Sequence, residues 1–423
     1  MSLRTRTVRV DHDLDAFAIG SRSGLLWHDG DLVLAGVGEA VRLPIERPDG
    51  AAAAQAALAA LAGDDDVQRP GTGPVAFASL PFDRTAAGEL LVPRLVVGHD
   101  REGRRWLSIT GVGDAASSEA EMAAALAEVA AVGERAVPEG AEPTSLTLQS
   151  PLPPEYWRDE VVAPVRDRIR DGELDKTVLA RELRLTTNAP IDPAQVLARL
   201  RQRYRTALLF AVDGFVGASP EMLVARSGDV VRAHPLAGTA PRGADPAADA
   251  REAAELLAST KNRWEHRITI DWLLDTLLPF CSYVDAEPEP TIVTLTNVHH
   301  LGTRVEGRLS SPAASVLELV AALHPTPAVG GRPQADALAL IEAFEQADRG
   351  RYAGPVGWVD GAGNGSFAVG LRSAELNEPT ADRDEWVSRF FAGVGVVGDS
   401  DPAAELAETR AKFETMLGAL VKP

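Results

Sequence analysis

The sequence predicts an α+β protein built on large, mostly antiparallel β-sheets. Short runs with strand-like alternation follow one another directly, with Gly- and Asp-containing turns between them, and neighbours of this kind pair antiparallel. Pairs of helical segments interrupt these runs, instead of single helices alternating with single strands. Hydrophobic residues make up 45% of the 423 residues, which is enough for a sizeable core.

The N-terminal part of the chain carries no motif that indicates chemistry. Up to about residue 140, strand-like runs alternate with two Ala-rich segments, Ala51–Ala62 and Ser118–Val132, whose composition favours helices. A Pro- and Glu-rich segment at Pro138–Trp157 is the best candidate for a joint, although a loop inside one domain has the same composition. We therefore divide the chain into residues 1–150 and residues 151–423, and we expect both parts to form one compact unit.

The pattern of predicted elements is denser in the second part. The predicted helices are Pro154–Gly172, Pro246–Phe280, Ser315–Leu323, Pro333–Gln346 and Pro402–Leu420. The strand-like runs lie at residues 175–187, 206–214, 214–228, 229–238, 291–307, 352–360, 366–376 and 386–397. Ser400 and Asp401 are the candidate N-caps of the last helix.

Charge and composition argue against several classes of protein. A formal charge of −19 and a pI near 4.9 repel a phosphate backbone, which argues against nucleic-acid binding. The single cysteine, Cys281, permits neither a disulfide within the chain nor a cysteine-based zinc site. The first residues lack the apolar core of a signal peptide, and no run approaches the ~18 apolar residues that cross a bilayer. We expect a cytoplasmic protein with no membrane or nucleic-acid partner.

Lysine is scarce in this chain, and its positions are informative for that reason. There are only four lysines, Lys176, Lys261, Lys412 and Lys422, and arginine supplies nearly all the other positive charge. An ammonium can lose its proton when its surroundings lower the pKa, whereas a guanidinium stays protonated. A lysine inside a patterned segment is therefore a candidate for a chemical role.

Three carboxylates are candidate ligands for a hard cation. Glu405 and Glu408 lie three residues apart on one face of the last predicted helix, and Glu265 lies on another helix. Oxygen ligands of this kind suit Mg²⁺. Spacing alone favours the alternative that these glutamates form a solvated helix face.

Other candidate residues also have an ordinary interpretation. The pattern GVGVVG at Gly393–Gly398 fits a dinucleotide-binding motif. That motif needs a second parallel strand after its helix, and none follows here. The backbone N–H groups of these glycines are better suited to hold a small anion. Arg372 is predicted to lie opposite the apolar face of its strand, either as a carboxylate clamp or as an exposed arginine. The histidines that show no zinc-ligand spacing are His234, His266, His299, His300 and His324.

Ten short motifs follow one another in order between residues 151 and 420. They are DKTVLARE (Asp175–Glu182), ASPEMLVAR (Ala218–Arg226), HPLAGTAPRG (His234–Gly243), STKNRWEHR (Ser259–Arg267), NVHHLGTRVEG (Asn297–Gly307), HPTPAVGGRP (His324–Pro333), RGRYAGPVGWVD (Arg349–Asp360), FAVGLRSAEL (Phe367–Leu376), AGVGVVGDSDP (Ala392–Pro402) and ELAETRAKFETML (Glu405–Leu417). In this order they resemble the chorismate-utilising family of isochorismate, salicylate, anthranilate and aminodeoxychorismate synthases. Asn262 departs from the acidic residue expected there. The resemblance implies an anthranilate synthase component I-like fold, in which two layered subdomains leave the site in the cleft between their sheets.

Two features point to one branch of this family. Lys176 stands where the amidating members usually carry Gln, and lysine is characteristic of the members that add water. The segment His324–Gly331 also resembles isochorismate synthases, and Ala237 stands where some aminodeoxychorismate synthases have a nucleophilic lysine. The resemblance therefore implies an isochorismate synthase, an isomerase whose product serves siderophore or menaquinone biosynthesis. The alternative is a salicylate synthase, which goes on to eliminate pyruvate. We expect a monomer without a glutaminase subunit.

The resemblance also implies a role for each candidate residue. Lys176 would be the general base that activates water, and Glu221 the general acid for the departing C4 hydroxyl of chorismate. Glu265 and Glu408 would bind Mg²⁺, with Glu405 nearby and the ring carboxylate of chorismate completing the shell. The remaining substrate contacts would be Arg372, Tyr352, Lys412, Gly393 and Gly395 at the enolpyruvyl carboxylate, and Thr239 and His300 beside the ring.

Overall fold

The computed structural model describes residues 3–46, 50–112, 118–135, 142–295, 298–381 and 384–421. Its 23 strands and 11 α-helices confirm the predicted α+β class. Three sequence predictions fall partly outside these residues: the start of the proposed joint at Pro138, Asn297 of one motif, and Lys422. No helix in the described part of the chain has both the length and the apolar character needed to span a membrane.

The strands vary from two to fourteen residues in length. They are β1 Leu3–Arg9, β2 Leu25–His28, β3 Leu32–Ile45, β4 Ala62–Asp65, β5 Val75–Ser79, β6 Gly88–Asp100, β7 Arg105–Val112, β8 Leu146–Gln149, β9 Lys176–Thr187, β10 Leu208–Val212, β11 Phe215–Ser219, β12 Met222–Ser227, β13 Val230–His234, β14 Leu236–Pro241, β15 Cys281–Ala286, β16 Thr291–Thr294, β17 Val298–Gly302, β18 Val305–Leu309, β19 Gly331–Arg332, β20 Pro355–Asp360, β21 Gly365–Val369, β22 Ser373–Pro379 and β23 Trp386–Val396.

The helices are mostly amphipathic and lie against these strands. They are α1 Ala16–Ser23, α2 Gly50–Ala59, α3 Glu119–Glu134, α4 Pro154–Tyr156, α5 Ala163–Arg170, α6 Pro193–Arg203, α7 Pro246–Ala258, α8 Thr260–Leu277, α9 Val316–Leu323, α10 Gln334–Glu345 and α11 Pro402–Leu420. A π-helical turn, Trp157–Val162, joins α4 to α5, and a 3₁₀ turn, Leu278–Phe280, follows α8.

Hydrogen bonding links twenty of the strands into one network, while β14, β16 and β17 form a separate small sheet. From β6, one series of antiparallel neighbours runs through β3, β2, β10, β11, β22 and β23 to β9. A second series runs from β6 through β5, β20, β21, β12, β13 and β18 to β15. Within the described residues, the pair β1–β4 is parallel and every other pairing is antiparallel, as the sequence predicts.

Large aromatic side chains fill the space between the two series of strands. Trp27 and Phe210 come from the first series, and Phe77 and Trp358 come from the second. Burying such side chains stabilises the fold by about 1.5–3 kcal/mol each. A second core lies where α5, α9 and α10 pack against β9 and β12. The two series therefore stack as layers.

Several predicted elements are interrupted in the structure. The helix predicted at Pro246–Phe280 is two helices, because the Ser259 hydroxyl accepts a hydrogen bond from the Asn262 N–H and caps α8 there. The strand predicted at 214–228 breaks at Pro220 and Glu221, between β11 and β12. The strand predicted at 366–376 breaks before Arg372, whose φ of 49° lies outside the extended region. Helix α1 was not predicted at all.

Other helix termini agree with the sequence. Helix α11 has the predicted limits, and Asp401 is its cap, since its carboxylate accepts from the Ala403 N–H. The alternative cap, Ser400, accepts instead from the Val397 N–H. The helix predicted at Pro154–Gly172 ends as expected near Gly172, but the π-helical turn divides it.

A buried ion pair connects the strand β9 with the loop before β19. The Arg349 guanidinium donates to the Glu345 carboxylate, with 2.8 Å between Nε and Oε2. The same guanidinium donates to the carbonyls of Val178 and Val329, and Glu345 accepts from the Ala180 N–H at 2.7 Å. Both side chains are only 2% exposed. The pair therefore satisfies backbone groups on β9 and on the loop that contains Val329.

Removing one partner of this pair should strongly destabilise the protein. We expect Arg349→Ala to lower the free energy of unfolding by about 3–5 kcal/mol, because the Glu345 charge is left buried without its partner. The matched control is Arg267→Ala, which breaks an exposed pair with Asp271 at the same i, i+4 spacing and should cost less than about 1 kcal/mol. Urea unfolding of both variants measures the difference, and similar losses would contradict the assigned role.

Candidate active site

All twelve residues to which the sequence analysis gave a catalytic, substrate-binding or metal-binding role line one cavity of about 230 Å³. It lies between the β9–β23 end of the first series of strands and the small sheet of β14 and β17, with α8 and α11 at its side. The twelve are Lys176, Glu221, Thr239, Glu265, His300, Tyr352, Arg372, Gly393, Gly395, Glu405, Glu408 and Lys412.

Lys176 is the first residue of β9 and is almost fully buried, with 4% of its surface exposed. Its Nζ lies 4.0 Å from Oε2 of Glu265, an acidic neighbour on α8. Burial lowers the pKa of Lys176, and the nearby Lys412 acts in the same direction, while the Glu265 charge opposes the shift. This environment favours a lysine that can lose its proton, which an arginine cannot do.

Glu221 lies in the break between β11 and β12, so its side chain leaves the sheet and enters the cavity. Its backbone is held on both sides, because its N–H donates to the Ser219 hydroxyl and its carbonyl accepts from the Val369 N–H. The carboxyl oxygen Oε1 is buried and has no partner among the described residues. Burial raises the pKa of Glu221 to about 8. The group is therefore protonated at neutral pH.

Gly393 and Gly395 on β23 serve a steric purpose that the sequence did not reveal. A Cβ at Gly395 would lie 2.9 Å from Cε of Lys176, and a Cβ at Gly393 would lie 3.0 Å from the Tyr352 hydroxyl. A Cβ at Gly395 would therefore force Lys176 to shift, and a Cβ at Gly393 would make a tight contact that the Tyr352 hydroxyl would have to relieve. The Gly393 carbonyl also accepts from Lys412 Nζ at 2.7 Å.

Three glutamates face the cavity from α8 and α11. Burial, followed by the neighbouring Glu408 charge, raises the pKa of Glu405 to about 7. Glu408 pairs with Lys412 on the same helix, with 2.7 Å between Oε1 and Nζ. Within the ranges that the structure covers, no three His, Cys, Asp or Glu side chains are gathered closely enough to form a metal cluster. The neighbouring carboxylates of Glu405, which is buried, and Glu408, whose side chain is 30% exposed, are nevertheless suited to a hard dication.

Arg372, Tyr352 and Lys412 form the cationic side of the cavity. Arg372 is not the freely exposed surface arginine of the ordinary interpretation: it lines the cavity, and burial lowers its pKa. The Tyr352 ring stacks on Phe391 at 5.2 Å between centroids, which fixes its orientation. Burial raises the pKa of Tyr352, so its hydroxyl stays protonated and can donate a hydrogen bond.

Thr239 and His300 face each other across the small sheet, where their strands β14 and β17 pair. The Thr239 hydroxyl lies 3.1 Å from Nδ1 of His300. Burial lowers the pKa of His300, with Arg372 and Lys412 acting in the same direction, so the ring is neutral. The adjacent His299 points to the opposite face, where its Nε2 lies 3.0 Å from Asp249.

The cavity also contains residues to which the sequence assigned no role. Lys261 and Asn262 reach it from the first turn of α8, and Ala328 and Val329 reach it from the loop before β19. Gly238 lines it with a φ of 80°, a conformation that a side chain would strain. The scarcity of lysine was the one signal that could have identified Lys261.

Comparison with known proteins finds a family model, similar sequences and similar solved structures. A family model described as chorismate binding enzyme matches residues 10–421. The chain is 38% identical over 381 residues to a putative isochorismate synthase, MenF, of Mycobacterium tuberculosis, which covers 87% of this chain and 89% of that protein. A crystal structure of a putative 2,3-dihydroxybenzoate-specific isochorismate synthase, DhbC, of Bacillus anthracis superposes with a TM-score of 0.77 at 31% identity, covering 95% of this chain and 96% of that one. Anthranilate synthase component I of Streptococcus pneumoniae shares the fold, with a TM-score of 0.73 at 20% identity over 92% of both chains.

The raised pKa of Glu221 predicts how stability depends on pH. The folded protein holds this proton up to about pH 8, whereas an ordinary glutamate releases it near pH 4.5, so unfolding releases a proton between these values. Rising pH therefore favours the unfolded chain in this interval. We expect the free energy of unfolding to fall, relative to that of Glu221→Gln, by a few kcal/mol, given ~1.4 kcal/mol per pKa unit.

Urea unfolding of both proteins at a series of pH values measures this difference. Glu342→Gln is the control, because Glu342 is exposed on α10 and its substitution should leave the pH dependence of wild type unchanged. Parallel curves for wild type and Glu221→Gln would show that Glu221 does not carry a raised pKa.

Proposed function

We propose that this chain, which belongs to the chorismate-binding enzyme family, is an isochorismate synthase. The observation that carries the proposal is that one cavity holds a buried lysine whose pKa is lowered and a buried glutamate whose pKa is raised. Conversion of chorismate to isochorismate needs one group that accepts a proton and another that donates one. Water attacks C2, the C4 hydroxyl leaves, and the ring double bonds shift between them.

Lys176 is the proposed general base. In its neutral form the amine accepts a proton from the attacking water, which raises the nucleophilicity of that water as it reaches C2. The space beside Lys176 exists because Gly395 has no side chain, so the amine lies against β23. The amidating members of the family usually carry Gln instead of lysine at this position. The presence of Lys176 therefore favours addition of water here.

Glu221 is the proposed general acid. Its proton is present at neutral pH because of burial, and transfer to the departing C4 hydroxyl releases that group as water. The reaction consumes one water and releases one water, so atoms balance. It leaves Lys176 protonated and Glu221 ionised, and one proton must pass back between them before the next turnover.

The charges of the cavity support binding of chorismate together with a dication. Apart from the proposed base Lys176 and acid Glu221, which are neutral before reaction in this proposal, its three basic side chains equal its three other glutamates in number, so the charges balance. Chorismate is a dianion and on its own would leave two excess negative charges in a buried site, which is unfavourable. Binding Mg²⁺ with it restores the balance.

Glu265, Glu405 and Glu408 are the residues that would hold Mg²⁺. When bound, the ion would neutralise the ring carboxylate of chorismate and orient the ring. Arg372, Lys412 and the Tyr352 hydroxyl would bind the enolpyruvyl carboxylate on the cationic side. The Thr239 and His300 pair borders the ring position as a neutral donor and acceptor.

Product analysis tests the proposed reaction. We expect the purified protein, given chorismate and Mg²⁺ without ammonium, to form isochorismate that chromatography resolves from chorismate. Lys176→Arg should reduce kcat by roughly 10²–10⁴-fold, the usual contribution of a general base, because the guanidinium stays protonated.

Other products would lead to different conclusions. Salicylate together with pyruvate would identify a salicylate synthase instead, and unchanged chorismate would contradict the activity. Full turnover by Lys176→Arg would show that Lys176 is not the general base, without contradicting the overall reaction.

Chelation and a matched pair of variants test the metal proposal. We expect EDTA to abolish turnover and added Mg²⁺ to restore it, and calorimetry should show tighter chorismate binding when Mg²⁺ is present. Glu408→Gln should raise the Mg²⁺ concentration needed for half-maximal activity at least about tenfold. Glu414→Gln, at an exposed position on the same helix, should not change it. Turnover that persists in EDTA would refute a metal requirement.

A further inference from the structure

A second cleft, of about 780 Å³, lies outside the active site and shares no residue with it. Helices α1 and α6 form its walls, and β2 and β10 contribute to its floor. The lining residues that matter here are Phe17, Arg22, His28, Arg201, Tyr204 and Arg205. This volume is within the range of small-molecule sites in proteins.

Three arginines converge on this cleft without a carboxylate partner. Among the residues that the structure covers, Arg22 donates to the carbonyls of Arg135 and Ala18, and neither it nor Arg201 nor Arg205 makes an ion pair. The acidic lining residue is Asp192, and its carboxylate already caps α6 by accepting from the Ala194 N–H. Although the chain has 61 acidic residues, none of those that the structure describes pairs with these three guanidiniums. Such a cluster favours an anionic ligand.

The inner part of the cleft is aromatic and apolar. Phe17 lies edge-to-face with His28 at 5.8 Å between ring centroids, and Leu209 lines the same side. The Arg201 guanidinium lies 4.3 Å from the centre of the Phe17 ring, which holds it at the boundary between the apolar part and solvent. His28 also lines this part of the cleft, and its buried Nδ1 has no partner among the described residues. Cationic and apolar groups together suit an anion with a flat apolar body.

We propose that this cleft is a second ligand site, which binds a small aromatic carboxylate. The carboxylate lies among Arg22, Arg201 and Arg205, and the ring lies against Phe17 and Leu209. Two or three arginines can each donate paired N–H groups to such a carboxylate, which a point charge could not do.

Tyr204 connects the cleft with the active site. It lines the cleft and also a narrow gap beyond it, which is bordered by Pro220, Arg372 and Lys412 of the active-site cavity. Tyr204 is also an electrostatic neighbour of Arg372. A ligand that displaces the Tyr204 ring therefore changes the surroundings of a group proposed to bind chorismate. Coupling between two sites has to be reciprocal in binding free energy.

Isothermal titration with salicylate as the probe tests the site without reference to turnover. We expect one salicylate to bind wild type, and the double variant Arg201→Ala/Arg205→Ala to bind at least tenfold more weakly. Arg203→Ala is the matched control, because Arg203 ends the same helix and donates to the Gly418 carbonyl but does not line the cleft. Equal affinity of the double variant and wild type would overturn the proposal.

Two further titrations identify where and why salicylate binds. Arg372→Ala should bind salicylate as wild type does; loss of binding in that variant would place salicylate in the active site and refute a second site. Inorganic phosphate should bind at least tenfold more weakly than salicylate, since it has no apolar body, and equal binding would refute the aromatic ligand class.

The coupling through Tyr204 has its own measurement, and this part rests on the proposed function. Saturating salicylate should change the KM for chorismate by about fivefold or more in wild type and leave it unchanged in Arg201→Ala/Arg205→Ala. An unchanged KM in a wild-type protein that binds salicylate would refute the coupling. Absence of any turnover would contradict the isochorismate synthase assignment and not the binding site, since binding is measured separately.

Discussion

Two buried ionisable side chains, Lys176 and Glu221, lie in one small cavity, and the free energy of keeping their charges away from water decides what each can do. Burial favours the neutral form of both groups, so the pKa of Lys176 falls while that of Glu221 rises. At a protein surface the two would be an ammonium and a carboxylate. In the cavity the same burial favours an amine at Lys176 and a protonated carboxyl at Glu221. A single physical effect therefore supports the opposite roles that we propose for them, and both depend on the exclusion of water from the same space.

The positions of these groups depend on contacts outside the cavity. Lys176 begins a strand whose next residues are bonded through Val178 and Ala180 to the buried pair of Glu345 and Arg349. That pair also bonds the carbonyl of Val329. It therefore connects β9 to the loop that lines the cavity. On the other side of Lys176, the absence of a side chain at Gly395 leaves room for its ammonium-bearing chain. The position of Lys176 thus depends both on the ion pair of Glu345 and Arg349 and on the lack of a side chain at Gly395.

The sequence predicted the residues of the cavity better than the shape of the backbone that brings them together. Alternation and motif order identified the strands that carry Lys176 and Gly395, because these are local properties of the chain. The positive φ of Arg372 has no such local signal, since an arginine rarely adopts it and only the surrounding sheet imposes it. The cap at Ser259 was also overlooked, because helical composition continues on both sides of it. Lys261 had no assignable role from the sequence, since its place in the cavity depends on how α8 packs in the folded protein.

A strongly acidic protein can contain the two anion sites proposed here, because the electrostatic potential inside a site is determined mainly by its nearest charged neighbours. At physiological ionic strength, surface charges are screened over about 8 Å, so most of the net charge of −19 is weak at the cavity and the cleft. What matters is the local pairing of each cation. Lys412 is shared between Glu408 and the Gly393 carbonyl, so an anion there competes with an existing acidic partner. Arg201 and Arg205 have no such competitor among the described residues, so a carboxylate in the cleft need not displace one. By this reasoning the proposed active site would need a dication to admit its dianion, whereas the proposed cleft site would bind a monoanion without one.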